Sequence, residues 1–200
     1  MSPKQHRGEV TADLLLDAAL RLYTESGEQG VTVTAVTRTS SVSPGSLYHH
    51  FGSLDGLLTA LTERWTERLL EHLVTALTRT DTAREGIRAV VGAYLAFVRD
   101  HPGAALLIHS PRSDRRLMAQ GKELREAQGP ALSTTARWLQ PRIDAGEVAP
   151  LPMPLLETLI LGPVVAVARR RLSGIRDVDL DEAARILPER IWRSISAEEA

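Results

Sequence analysis

The chain contains no cysteine among its 200 residues. Disulfide bridges, thiolate zinc sites and cysteine nucleophiles are therefore excluded. Its longest apolar stretch without a charge near the C-terminus, residues 158–168, is far shorter than the ~20 residues that a membrane-spanning helix needs. The first ten residues, MSPKQHRGEV, have no apolar core of the kind that a secretory signal requires. We therefore expect a cytoplasmic protein.

Acidic residues are missing from one part of the chain. Lys and Arg number 24 against 25 Asp and Glu, so the overall charge gives no reason to expect a polyanionic partner. The acid-free segment, residues 29–54, nevertheless contains neither Asp nor Glu, although it includes Arg38, His49 and His50. A surface built from this segment would not repel phosphate groups.

Helical patterns dominate what is present. Apolar residues at helical spacing, Leu15, Ala18, Ala19 and Leu22, indicate one face of an amphipathic helix that stops at Gly27. The β-branched stretch GVTVTAVTRTS suits either a strand or a short helix capped by Thr32, and the lack of a partner strand nearby favours the helix. A leucine stripe predicts a long helix from Ser53 to about Thr78.

The remaining sequence predicts further helices, which makes the expected fold all-α. The long helical region is expected to be interrupted at Gly129–Pro130 and bent at Pro141, and the last two helices to be kinked or shortened at Pro163 and Pro188. The predicted helices cover residues 84–99, a short buried helix within GAALLIHS, 114–145, 155–172 and 180–195.

The acid-free segment has the layout of a helix-turn-helix, whose second helix lies in the major groove of DNA. Two short helices, Thr32–Thr39 and Ser43–His50, are joined by residues 40–42. Ser43 can cap the second helix, and Pro44 suits its first position.

The second of these helices carries groups suited to DNA. Gly45 has no side chain, so the helix N-terminus can approach a base edge or a phosphate. Leu47 and Phe51, four residues apart, are expected to anchor the helix in the core beneath. Side chains that can donate to phosphates are those of Ser46, Tyr48, His49 and His50.

The segment GVTVTAVTRTSSVSPGSLYHHFGSLDGLL resembles the DNA-binding segment of the tetracycline-repressor (TetR) family of bacterial transcription regulators. The preceding LLDAALRLYTESGEQG is similar to the first helix of that family. The later stretches YLAFVRDHPGAALL and LILGPVVAVARRRLSG resemble its C-terminal ligand-binding and dimerisation domain more loosely. The resemblance implies base-edge contacts from Ser43, Pro44 and Gly45, and backbone contacts from Thr32, Ser46, Tyr48, His49 and His50.

Two positions depart from the family's pattern. A glycine is usual in the turn where Ser41 stands, and a lysine is common near the second position of the next helix, where Leu54 stands. We expect Arg38 to supply part of the missing positive charge.

The resemblance also implies a homodimer, usually a repressor of a partly palindromic operator, which a small molecule releases from DNA. Residues 1–52 are then the DNA-binding domain and residues 53–200 the effector-binding and dimerisation domain, with the dimer formed by the last two helices. No cofactor, metal or catalytic residue is expected. The apolar residues expected to pair across the dimer are Leu156, Leu159, Ile160, Val164 and Val167 on one helix and Leu180, Ala184, Leu187 and Ile191 on the other. Candidate effector contacts, for which plain core packing is an equal explanation, are Tyr94, Phe97, His109 and Trp138.

Other interpretations remain open at this point. A ligand-binding dimer without DNA readout would fit the sparse basic residues, and a hydrolase could use His109 or the pair His49 and His50. The two adjacent histidines point about 100° apart on a helix and cannot both ligate one metal ion on that face. The run Arg169–Arg171 could bind an anion, or could simply complement a helix dipole.

Overall fold

Helices form nearly all of the regular structure in the computed structural model, which describes residues 3–175 and 177–197, with side chains from Gly8 onward. Among these residues β-type pairing is limited to an isolated bridge between Val148 and Ser196, so the all-α prediction is confirmed. The helices are α1 Pro3–Gly30, α2 Val33–Ser40, α3 Pro44–Phe51, α4 Leu54–Thr78, α5 Ala83–Asp100, α6 Pro102–Ile108, α7 Pro111–Ala127, α8 Gly129–Asp144, α9 Met153–Leu172 and α10 Leu180–Ile195.

The predicted helix ends depend on local signals, and most of them are confirmed. Gly27 interrupts α1 with a φ of +66°, a conformation that favours glycine. The stretch after Thr32 is a helix and not a strand. The predicted spans 155–172 and 180–195 are confirmed, and α9 and α10 continue through Pro163 and Pro188 without being shortened. Each proline removes one helical hydrogen bond, and the buried residues on both sides of it keep the helix in place.

The chain divides into two compact units. The first contains the described residues up to Thr66 together with Pro102–Ser113, and the second contains Glu67–His101 together with the described residues from Asp114 onward. Helix α4 contributes residues to both units, and α6 belongs to the first although it is distant in sequence. Among the described helices, none has the length and apolar character that crossing a bilayer demands.

The core of the first unit is formed by residues of α1, α4 and α6 together with buried residues of α2 and α3. Its α6 packs closely on α1, because a Cβ added at Gly103 would collide with the Thr24 side chain. The most buried members of the core are Leu15, Ala19, Val36, Leu47, Leu57, Leu61 and Leu107. This compact unit therefore extends beyond residue 52, because leucines of α4 and α6 complete its core. The division by function into residues 1–52 and 53–200 stays a prediction.

The second unit is organised around α5, whose start is fixed by a capping box. The Thr82 hydroxyl accepts from the Glu85 N–H, and the Glu85 carboxylate accepts from the Thr82 N–H at 3.3 Å. Arg84 pairs with Glu189 of α10 at 2.6 Å, which joins the two helices at their edges. The interior is largely aliphatic, with buried residues that include Ile87, Val91, Leu95, Leu139, Leu156, Val164 and Ile195.

Part of the apolar surface expected to form a dimer is already covered within the chain. Leu156, Ile160 and Val164 of α9 are buried, as is Ile191 of α10. These four residues pack against their own chain, so the expectation that they pair across a dimer is wrong. The periodicity did identify apolar faces, but it could not tell which neighbour covers them.

Candidate DNA-binding interface

Helix α2 begins at the predicted cap. Thr32 has an extended backbone, and its hydroxyl oxygen accepts from the N–H of Ala35 at 3.1 Å. Val36 is fully buried in the core of the first unit, whereas Thr32 and Arg38 are exposed. The helix therefore packs by one side and leaves the Arg38 charge on the surface.

The turn between α2 and α3 contains an unusual backbone conformation. Ser41 has φ 56° and ψ 28°, and within residues 3–175 and 177–197 it is the one residue other than glycine with a positive φ. The N–H groups of Ser41 and Val42 both donate to the Thr37 carbonyl, as in a left-handed helix cap. The usual glycine at this position in the family thus has a physical reason, since glycine adopts this conformation without steric cost.

Helix α3 is capped and oriented by residues that the sequence analysis identified. The Ser43 hydroxyl accepts from the Ser46 N–H at 3.2 Å, and Pro44 occupies the first turn. Leu47 is fully buried, so the helix is held from below. The opposite side is open to solvent and consists of Pro44, Gly45, Tyr48 and His49, with Tyr48 51% exposed.

The two histidines of α3 face different surroundings. Their ring centroids lie 5.3 Å apart at an interplanar angle of 68°. His49 is exposed, whereas His50 is half-buried beside α1, where a Cβ added at Gly8 would lie 3.7 Å from the His50 ring. The His49 side chain is therefore accessible to DNA, whereas the His50 ring packs against α1.

A tight junction connects α3 to α4. The Gly52 N–H donates to the Tyr48 carbonyl at 2.9 Å, and the Ser53 hydroxyl caps α4 by accepting from the Gly56 N–H at 2.9 Å. A Cβ at Gly56 would collide with the Phe51 carbonyl oxygen, so the first turn of α4 touches the end of α3. Leu54 packs against the core, and it does not replace the lysine that the family commonly has there.

Arg112, at the start of α7, is part of this junction, which sequence reasoning missed. Its guanidinium donates to the Asp55 carbonyl at 3.0 Å and lies 2.6 Å from the Asp55 carboxylate. The contact joins residues 57 positions apart in sequence, so no local spacing could have revealed it.

The four candidate effector contacts are not brought together in one unit. Tyr94 and Phe97 are buried in α5, and burial raises the pKa of the Tyr94 phenol to about 12. Trp138 packs against α5 where a Cβ at Gly86 would collide with its ring, and Arg142 lies 3.6 Å above the Trp138 ring centroid. His109 belongs to the first unit. Their role as effector contacts stays a prediction.

Two arginines of the run at the end of α9 form ion pairs within the chain. Arg169 forms an ion pair with Asp114, and Arg170 forms one with Asp177. These pairs raise the pKa of both guanidinium groups through hydrogen bonding to the carboxylates. Both charges therefore have structural partners.

Three comparisons place these features among known proteins. Residues 15–61 match a family model described as bacterial regulatory proteins, tetR family. The regulator BetI of Rhizobium meliloti, named an HTH-type transcriptional regulator, is 35% identical over 89 residues, which are 44% of each chain. The chain spans about half the length of the curated relatives it matches.

Two solved structures share the fold over most of the chain. A TetR family regulator from Marinobacter aquaeolei has a TM-score of 0.75 at 19% identity, covering 96% of this chain and 99% of that one. FadR from Bacillus subtilis, solved in complex with stearoyl-CoA, has a TM-score of 0.72 at 17% identity, covering 89% of this chain and 96% of that one.

The capped α2–turn–α3 unit has the architecture of a helix-turn-helix, a motif whose second helix lies in the major groove of DNA. Residues 15–61, which contain α2, the turn and α3, are similar to the tetR family of bacterial regulatory proteins.

Proposed function

We propose that this regulator is a homodimeric repressor that binds a partly palindromic operator through α3 and leaves it when a small molecule binds. The observation that supports the DNA contacts most directly is the exposed side of α3. It combines a side-chain-free Gly45 with the hydroxyl and imidazole donors of Tyr48 and His49 on a helix fixed by buried Leu47. Such donors position a protein on phosphates, while the helix N-terminus reaches base edges.

A charge placed on α3 tests these contacts. Gly45→Glu adds bulk and a negative charge to the surface proposed to enter the groove, so binding to DNA from the region upstream of the gene should be lost in a gel-shift assay. Gly129→Glu is the matched control, because Gly129 also lies in the first turn of a helix and has no other atom near its Cβ position. Retained binding by the Gly45 variant would contradict the proposed role of α3.

The proposed dimer uses a different side of α9 from the one expected. Residues 158–168 contain no charge, yet several of them are exposed along one side of the helix. That side, called here the α9 outer face, consists of Leu155, Thr158, Gly162, Pro163 and Ala166. A solvent-exposed helix side normally carries charged residues, which supports a second copy as its partner.

The proposed release of the protein from DNA depends on α4, which starts beside α3 and contributes to both compact units. A ligand that shifts α4 would change the spacing of two α3 helices, which must match half-sites ~34–36 Å apart or a multiple of it. Long-chain acyl-CoA is a suitable first probe, because the interior of the second unit is aliphatic and FadR of the same fold was solved with stearoyl-CoA.

A further inference from the structure

The two acidic residues nearest to the acid-free segment meet at the same arginine. Going outward from that segment, Glu28 is the first acid on its N-terminal side and Asp55 the first on its C-terminal side. Arg112 lies 2.6 Å from the Asp55 carboxylate and 3.6 Å from the Glu28 carboxylate. One cation thus faces both of the carboxylates that bound the acid-free segment in sequence.

Contacts other than the carboxylates keep Arg112 in this position. Its side chain is only 17% exposed, and it also donates to the Asp55 carbonyl at 3.0 Å and the Thr59 hydroxyl at 3.3 Å. Ser110, two residues earlier, caps α7 by accepting from the Ser113 N–H at 3.2 Å. The guanidinium is therefore placed beside α4 even without an ion pair.

The position of Asp55 makes its charge important for DNA. It directly precedes Gly56, which touches the end of α3, and it follows Leu54, where the resemblance leads us to expect a phosphate-binding lysine. A carboxylate with no cation beside it would repel DNA phosphates within the screening distance of about 8–10 Å at physiological salt. Pairing with Arg112 reduces that repulsion without a direct contact to DNA.

We propose that Arg112 is a positioning residue for DNA binding, which neutralises Glu28 and Asp55 and holds both away from the phosphate backbone. This inference rests on the proposed use of the acid-free segment as the DNA surface. The three side chains together carry a net charge of −1, and without Arg112 they would carry −2.

Whether Asp55→Asn raises or lowers the affinity for DNA separates charge neutralisation by Arg112 from a purely structural role. If Arg112 acts by neutralising charge, Asp55→Asn strengthens binding to a short random-sequence duplex, because it removes a negative charge near the phosphates. Arg112→Met weakens that binding by about two- to tenfold, the range expected for one charge at such distances in a partly screened medium. The double variant returns close to wild-type affinity.

The measurement is fluorescence anisotropy with the full chain at low and at physiological ionic strength. The differences between variants should shrink at the higher salt, because exposed charges are screened. Arg112→Lys keeps the charge and should retain most of the affinity, although it loses the planar hydrogen-bonding fork.

A matched control comes from a second inter-helix ion pair in the same unit. Arg64 of α4 lies 3.1 Å from Asp13, and it is nine residues, or about 13.5 Å of helix, beyond Asp55. Arg64→Met should lower the melting temperature about as much as Arg112→Met while changing DNA affinity less. Equal losses of DNA affinity from both variants would overturn the inference.

The inference is also overturned if Asp55→Asn weakens binding, or if the double variant binds no better than Arg112→Met. Failure of the proposed function would look different. In that case the wild-type chain would not bind the duplex, or Gly45→Glu would bind it as well as wild type does.

Discussion

Ser41 occupies a conformation that costs an L-amino acid about 1–2 kcal/mol. Replacing it with glycine removes that strain but adds about 0.5–1 kcal/mol of backbone entropy to the unfolded state. Ser41→Gly should therefore raise the free energy of unfolding by about 0.5–1 kcal/mol, measured by urea denaturation. Ser40→Gly is the control and should be destabilising, because Ser40 is helical and its hydroxyl donates to the Val36 carbonyl at 2.8 Å.

The substitution Tyr48→Phe tests whether the Tyr48 hydroxyl binds a DNA phosphate. Because the side chain is exposed, Tyr48→Phe should leave the melting temperature unchanged. Loss of one hydrogen bond of about 1 kcal/mol should weaken binding to operator and random DNA alike by about fivefold. Unchanged affinity for both duplexes would show that this phenol makes no energetically important contact with DNA.

At the scale of helices, the tight contact between α3 and α4 predicts how two glycine-to-alanine substitutions change the stability of the protein. In Gly56→Ala the new methyl group would collide with the Phe51 carbonyl, so α4 must move and stability should fall by about 1–3 kcal/mol. Gly92→Ala, in α5, has no atom within 4 Å of the added Cβ and should be stabilising by about 0.5–1 kcal/mol. Thermal denaturation of both variants provides the comparison.

Local chemistry explains which elements the sequence could predict. The caps at Thr32 and Ser43 depend on residues within four positions, and both were identified correctly. The predicted stop at Gly27 is an interruption, after which α1 continues to Gly30. The burial of Leu156 within the chain depends on packing against distant helices, and it was missed. The Arg112 junction was missed for the same reason, since its partners lie on α1 and α4.

At the scale of the whole molecule, the proposed α9 outer face predicts a dimer. Light scattering should give twice the chain mass of 21.9 kDa for the wild type. Ala166→Glu buries a charge in the proposed interface and should give monomers, whereas Ala119→Glu, at another exposed helical alanine, should not. A wild-type monomer at micromolar concentration, or a dimer unaffected by the Ala166 variant, would contradict this interface.

The proposed release predicts a reciprocal effect between ligand and DNA. A compound that raises the melting temperature of the free protein should bind the operator complex more weakly, by the same factor by which it weakens DNA binding. A typical coupling of ~1–3 kcal/mol corresponds to roughly 5- to 150-fold in affinity. Equal ligand affinity with and without operator would show a bound molecule that does not control DNA binding.

The place of Leu107 in the core of the first unit has a consequence for synthesis on the ribosome. Domains generally fold as units, the N-terminal one first, while the chain is made. Here the N-terminal core lacks a fully buried member until Leu107 has been added. The stretch from Leu61 to Leu107 takes about 2–9 s to make at ~5–20 residues per second. During that interval the surface of α1 that α6 later packs against has no partner, so chaperones and proteases can reach it.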